Sequence, residues 1–337
     1  MRQTFEQIFA TRDWLLADGA TGTNLFYAGL ETGYPPELWN VEHPDRVTTL
    51  HASFIAAGAD IILTNSFGGT SFRLKLHQAE NSVNVLNLAA AGLARRAADA
   101  ADKPVLVAGS MGPTGELFQP LGALTAEAAE QAFAEQAFAL AEGGADLLWI
   151  ETMSSLEEVE AAVKGARRTN LPVVATMTFD TAGRTMMGVT PAAYTEFATS
   201  LGLDAFGANC GIGPAELLDT VYKFKHREKK PAVIAKGNCG IPVYVDGKVH
   251  YHGTPELMAD YAVLARDLGV KIIGGCCGTS PEHVRAMAQA LNQTPSASPA
   301  TLAEIEAKLG KPWKDLPDSA EDGQSRRRRR RRRGSRR

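Results

Sequence analysis

Ile272-Ile273-Gly274-Gly275-Cys276-Cys277-Gly278-Thr279 is a short apolar run that breaks into a glycine-flanked pair of cysteines. Neighbouring side chains on a regular strand point to opposite faces, so adjacent cysteines converge on one target only where the backbone turns sharply. Glycines on both sides permit that turn. Thiolates are favoured zinc ligands; a structural zinc takes four protein ligands, and a catalytic one three with an open position. The rest of the chain must supply a third cysteine, and either supplies or lacks a fourth.

Seven further apolar runs precede this one, at 14–19, 60–67, 104–112, 146–153, 172–179, 205–211 and 232–240. Between them lie alanine-rich segments of helical periodicity, for example 83–101, 125–142, 155–168, 214–226 and 255–267. Several open on a helix-start residue, such as Thr125 or Ser155 with acidic residues in the first turn. Strand and helix alternating eight times over roughly 280 residues predicts an α/β protein of the (β/α)8 TIM barrel type. A doubly wound open sheet is the alternative, weakened because no Gly-x-Gly-x-x-Gly follows the first strand. In a barrel the active site lies at the C-terminal ends of the strands.

Those ends are polar. They read Asp18-Gly19-Ala20-Thr21-Gly22-Thr23, Thr64-Asn65-Ser66, Glu151-Thr152, Asn209-Cys210, Asn238-Cys239 and Cys276-Cys277. All four cysteines of the chain thus fall at the mouth ends of three consecutive predicted strands. Cys210, Cys276 and Cys277 are expected to bind zinc, against the alternatives of inert buried thiols or a redox pair. Asp18 is a candidate binding residue, because Gly19 and Gly22 leave the neighbouring backbone open to close approach. Glu151 either binds substrate or pairs with a basic rim residue. Thr64, Asn65 and Ser66 either face a ligand or bond backbone groups.

The net charge of −3 conceals two regions, since ten arginines lie among the last twelve residues. Without them the chain holds 25 basic against 38 acidic residues, a balance of −13 for residues 1–325. A nucleic-acid-binding core would more often carry a basic face of its own, so nucleic acid is expected, if anywhere, at the arginine tail. No apolar run approaches the roughly 18 residues needed to span a membrane, and the acidic, short-runned start does not read as a secretory signal. The expectation is a cytoplasmic protein, whose clustered cysteines serve metal or redox chemistry rather than disulfides. The expected division is a barrel over 1–292, a Ser/Pro/Ala-rich extension over 293–325 with a short helix, and a disordered arginine tail over 326–337.

At the strand ends the sequence resembles the homocysteine S-methyltransferase family. The resemblance covers roughly residues 14–292 and rests on six motifs in order: Asp-Gly-Ala-Thr-Gly-Thr (18–23), Thr-Asn-Ser-Phe-Gly (64–68), Gly-Ser-Met-Gly-Pro-Thr-Gly (109–115), Ile-Glu-Thr-Met (150–153), Gly-Ala-Asn-Cys-Gly (207–211) and Gly-Gly-Cys-Cys-Gly-Thr (274–279). It implies zinc held by Cys210, Cys276 and Cys277, with the homocysteine thiolate in the open position. It further implies that Asp18, Gly19, Ala20, Thr21 and Glu151 hold the amino acid group, with Asn209 supporting the ligand beside it. Cys239 departs from the family pattern, which commonly has alanine there, and is read as a nearby non-ligand thiol.

Zinc-bound thiol is deprotonated outright, whereas a free thiol is only a few per cent thiolate at neutral pH. Such a sulfur can attack a methyl group in line, yielding methionine. The family resemblance offers three donors: glycine betaine, methylcobalamin charged by methyltetrahydrofolate, or S-methylmethionine. The residues present leave no room for folate- or cobalamin-binding modules, so a free-standing barrel is expected, with a separate corrinoid protein as one conceivable partner. Phe26, Tyr27, Tyr34 and Trp39 after the first strand, with Tyr244 and Tyr251 after the seventh, suit a quaternary ammonium and favour betaine, with Trp39 as a substrate contact. Readings from other classes are a four-cysteine structural zinc protein and a nucleic-acid-binding protein, and neither explains the polar residues of strands one, two and four. An oligomer is compatible with the chain, which does not specify one.

Overall fold

Short runs of Val, Ile, Leu and Ala that are apolar on both faces form strands buried on both sides, as a parallel sheet under a helical layer requires. The computed structural model describes residues 3–224, 231–245, 248–297 and 299–313, the side chains of 244–249 excepted. Among these the strands are β1(Leu15–Leu16), β2(Ile61–Leu63), β3(Leu106–Met111), β4(Leu147–Met153), β5(Val173–Met177), β6(Ala205–Cys210), β7(Ala232–Gly237), the hairpin β8(Val243–Val245) and β9(Lys248–His250), and β10(Ile272–Gly275). Eight of them form one sheet in the order β1-β10-β7-β6-β5-β4-β3-β2, the pairs within it parallel. A parallel bridge from Ala17 to Ile61 joins the two ends and closes the barrel. All eight predicted strands are present, and the open-sheet alternative is excluded.

The helices are α1(Phe5–Thr11), α2(Thr21–Tyr27), α3(Trp39–Glu42), α4(Pro44–Ala57), α5(Ser71–Lys75), α6(Val83–Asp99), α7(Ala126–Glu142), α8(Leu156–Arg167), α9(Pro191–Leu201), α10(Pro214–Lys223), α11(Pro255–Asp267), α12(Pro281–Gln293) and α13(Leu302–Leu309). Their starts follow the local chemistry: Thr125, Ser155, Thr190 and Thr254 each accept a backbone N–H of the first turn. Proline stands at the start of α4, α9, α10, α11 and α12, where its missing N–H has no partner to lose. Gly58 and Gly202 end α4 and α9 in the left-handed conformation.

Two apolar layers result. Inside the barrel, Leu15, Ile61, Leu106, Leu147, Trp149 and Ile234 are among the side chains that meet at the axis, and Phe5 and Ile8 of α1 pack against them from the strand-start end. Outside, alanine-rich faces of the helices cover the barrel, with Tyr194 and Tyr261 buried and bonded to strand carbonyls. Beyond 292, α13 lies against α10 and α11, and Trp313 Nε1 donates to Asp219 Oδ2 at 2.7 Å. The remainder of the expected extension and the arginine tail lie outside the described residues, as do 225 and 226 of the expected sixth-strand helix. No helix among the described residues is long and apolar enough to cross a membrane.

Candidate active site

β6 ends at Cys210, whose φ of 61° lies in the left-handed region that residues with a Cβ rarely adopt, and Gly211 continues it at 82°. Cys276 and Cys277 follow β10 directly, and their turn is tied by Thr279, whose Oγ1 donates to the Cys276 carbonyl at 2.6 Å. Gly278 completes it at φ +80°, where a Cβ would overlap the Tyr251 ring at 2.2 Å and Cys239 Sγ at 2.6 Å. The three sulfurs of Cys210, Cys276 and Cys277 lie within 4.8 Å of one another, and those of Cys210 and Cys277 are 3.8 Å apart. Sulfurs held about 2.3 Å from a tetrahedral zinc stand about 3.8 Å from each other, so the donor set fits that ion in both type and spacing.

Two amides brace the sulfurs. Asn209 Nδ2 lies 3.7 Å from Cys276 Sγ and donates to Thr152 Oγ1 at 2.7 Å. Asn238 Nδ2 lies 3.6 Å from Cys210 Sγ and donates to the Gly211 carbonyl. Hydrogen bonds from Cys276 and Cys277 pull the Cys210 thiol down to about 3, and the same sharing pushes Cys276 up to about 12 and Cys277 further. Three thiolates gathered this closely repel one another, a cost that a bound cation would relieve. Cys239 stands outside the cluster, fully buried and pushed up to about 11 by burial.

Beneath the sulfurs lies a buried charged layer. Asp18 is 1% exposed; its Oδ2 accepts the Leu63 N–H at 2.7 Å and its Oδ1 takes Lys236 Nζ at 3.0 Å. Glu151 accepts the Ser110 hydroxyl, and burial pushes its carboxyl up to about 7 against the opposing pull of Lys236. Burial alone would depress Lys236, but the charges of Asp18 and Glu151 outweigh it and raise the ammonium above its ordinary value.

A cavity of about 1050 Å³ has Gly19, Ala20, Thr21, Glu151 and the three clustered cysteines in its wall. Phe26, Tyr27, Tyr34, Phe67, Tyr251 and Arg73 also line it. The expected site residues divide accordingly. Asp18 lies behind the wall, engaged by Lys236 and Leu63. Asn209, fully buried, reaches Cys276 from behind. Trp39, expected at the substrate, is instead 4% exposed in a cluster with Leu25, Leu30, Val47 and Leu93, and its ring face is covered by Arg46 at 4.8 Å. Thr64 and Ser66 bond each other and the β3 backbone, while Asn65 bonds Pro36 and Asn40. The side chain of Tyr244 lies outside the described residues. Lys236 and Arg73 were not singled out from sequence, and Ser110 and Asn238 stood there only inside quoted motifs, with no role assigned. For Lys236 a signal existed: it is two residues beyond Ile234, hence on the same inward face of β7.

Solved structures of the homocysteine methyltransferase MmuM from Escherichia coli share this fold. The oxidized form matches with a TM-score of 0.68 and 24% identity, covering 85% of this chain and 99% of that one. The metallated form matches with a TM-score of 0.67 and 24% identity, covering 83% and 97%. In sequence the chain is 32% identical to the methionine synthases of Mycobacterium tuberculosis and Mycobacterium leprae, over 82% of its own length but 24% of theirs. It thus spans about a quarter of those curated relatives. The family model described as homocysteine S-methyltransferase matches residues 15–291, from the start of β1 into α12. With both cysteine-bearing turns inside that match, the chain belongs to the homocysteine S-methyltransferase family.

Proposed function

We propose that the chain transfers a methyl group to the sulfur of homocysteine, forming methionine, with Cys210, Cys276 and Cys277 holding a zinc ion. Three thiols from two distant strand ends, gathered within 4.8 Å on the wall of a deep cavity, carry this reading. The metallated form of MmuM supports a metal in this fold. Bound zinc would keep the substrate sulfur deprotonated and nucleophilic at neutral pH. Asn209 and Asn238 orient the protein sulfurs, and Glu151 offers a carboxylate to the substrate ammonium. The buried floor excludes water from that face. Free thiols of this kind persist in a reducing cytoplasm, where we place the protein.

For the donor we favour glycine betaine. Phe26, Tyr27 and Tyr34 share the cavity wall with Arg73. Aromatic faces attract a quaternary ammonium, and a guanidinium pairs with a carboxylate. S-Methylmethionine presents a similar cation and carboxylate. Methylcobalamin, supplied by a corrinoid protein, is the remaining donor the family resemblance offers. The deciding experiment measures methionine formed by the zinc-loaded protein from homocysteine with betaine, S-methylmethionine or methylcobalamin, using Cys277→Ala as control. Turnover with one donor that disappears in the control identifies it. Zinc-loaded protein that forms no methionine with any donor sinks the proposed reaction.

A further inference from the structure

Two of the three clustered sulfurs have a side-chain amide beside them, Cys276 with Asn209 Nδ2 at 3.7 Å and Cys210 with Asn238 Nδ2 at 3.6 Å. Among the described residues no amide reaches Cys277. The phenol of Tyr251 stands there instead: it shares the cavity wall with the three cysteines, and its hydroxyl hydrogen-bonds to the Cys277 sulfur. A phenol keeps its proton at neutral pH, so toward a thiolate it is the donor. The backbone holds it in place. Two residues on, the Gly253 N–H donates to the Cys239 carbonyl at 2.7 Å, and the Cys239 N–H donates to the Cys277 carbonyl at 3.1 Å. His283 Nε2 lies 3.0 Å from the Gly253 carbonyl on the other side, so the segment carrying Tyr251 is laced to the turn carrying Cys277. The Tyr251 ring packs against the core and against Gly278, where a Cβ would stand 2.2 Å from it. Any side chain at 278 would push the ring off its place beside the sulfur.

The proposed reaction requires the methyl group to reach the substrate sulfur and none of the three protein sulfurs next to it. A hydrogen bond that stabilises a thiolate lowers its basicity, and the nucleophilicity of sulfur falls with its basicity. We propose that Tyr251 is a positioning residue that donates its O–H to Cys277 Sγ, so that each protein sulfur carries one side-chain donor and the substrate sulfur is left the strongest nucleophile of the site. The ranking of the sulfurs rests on the methyl-transfer reading above; the contact itself does not. Tyr251 thereby has a task other than the quaternary-ammonium contact expected of it.

The test exposes the zinc-loaded full chain briefly to iodoacetamide, which forms a carbon–sulfur bond and releases iodide, and reads the initial labelling of each cysteine by peptide mass spectrometry. Tyr251→Phe keeps the ring on Gly278 and removes only the O–H. It should raise the labelling of Cys277 relative to Cys210 by at least about threefold, the size expected when a hydrogen bond to a charged sulfur is lost and the rate follows basicity only in part. A ratio taken within one protein cancels any general opening of the cavity. In the cobalt-loaded protein the same variant should move the sulfur-to-metal charge-transfer band to longer wavelength, because the sulfur lone pair is no longer stabilised. Tyr251→3-fluorotyrosine, a stronger O–H donor, should move that band to shorter wavelength. An unchanged Cys277 to Cys210 ratio, a rise shared equally by all three cysteines, or a band that stays put in both variants overturns the inference. Neither readout involves homocysteine. A chain that gives the expected ratio and band shifts but forms no methionine with any donor keeps the Tyr251 contact and loses the proposed reaction.

Discussion

Asn209 aims its side-chain N–H at Cys276 Sγ, 3.7 Å away, while its Oδ1 accepts the Thr152 N–H at 2.9 Å. Thr152 itself holds a left-handed φ of 63°, so this one amide fixes a strained backbone turn and a sulfur together. Groups that orient a metal ligand from behind are worth about 10–100-fold in metal affinity. Asn209→Ala is expected to lose zinc affinity by that factor, read by competition with a chromophoric chelator. Unchanged affinity would restrict Asn209 to clamping Thr152.

Cys239 and Cys277 are separated by one backbone hydrogen bond, from the Cys239 N–H to the Cys277 carbonyl at 3.1 Å, yet their substitutions should differ in kind. Cys277→Ala should bind zinc far below one equivalent. Cys239→Ala should keep one equivalent and cost about 1 kcal/mol for the small void left in the core. Zinc lost from Cys239→Ala would make that thiol a fourth ligand and close the site.

Glu151 sets a pH signature on the metal-free protein. Its carboxyl is pushed up to about 7 from an ordinary 4.5, so the folded chain holds the proton more tightly than the unfolded one. Stability from this group is fully present below about pH 4.5 and is lost as pH rises through about 7, a change of about 3 kcal/mol. Glu151→Gln should flatten that limb in denaturant titrations and at the same time raise KM for homocysteine. An unchanged pH slope in the variant would remove Glu151 as its cause.

His51 works in the opposite direction. Burial alone lowers its imidazole from 6.5 to about 4, and its Nε2 has no hydrogen-bond partner among the described residues. The unfolded chain therefore takes up the proton first, and stability falls by about 3 kcal/mol as pH drops from about 6.5 to 4. His51→Leu should reduce that acid loss, as followed by thermal melts between those pH values. Melting curves that fall equally in the variant would place the acid sensitivity elsewhere.

The barrel was legible because the strands are apolar runs, most of them closed by a glycine turn, a signal that is local in the chain. The cysteine cluster was legible for a related reason: barrel closure brings all strand ends to one mouth, so residues 67 apart must meet there. Trp39 misled because an aromatic in a loop reads the same whether it faces a ligand or the core, and here Leu25, Leu30 and Val47 claim it. Asp18 was found but its partner was not. A lysine in a strand resembles a solvent-facing residue, and its burial depends on β7 lying opposite β1 across β10, a relation set by sheet order rather than by sequence neighbours. The role of Asn238 escaped for a similar reason, since its contact with Cys210 crosses between strand ends.

The packing of Phe5 and Ile8 against the lower barrel core has a kinetic meaning. A vessel stoppered at one end fills and empties through a single opening. Under the proposed reaction, the thiol whose sulfur and charged groups reach the floor must load first, and the methyl donor settles above it like a lid. The demethylated donor then departs before methionine can leave. Product-inhibition patterns would show this compulsory queue, with methionine competitive against homocysteine, and a random pattern would mean that the mouth admits both molecules independently.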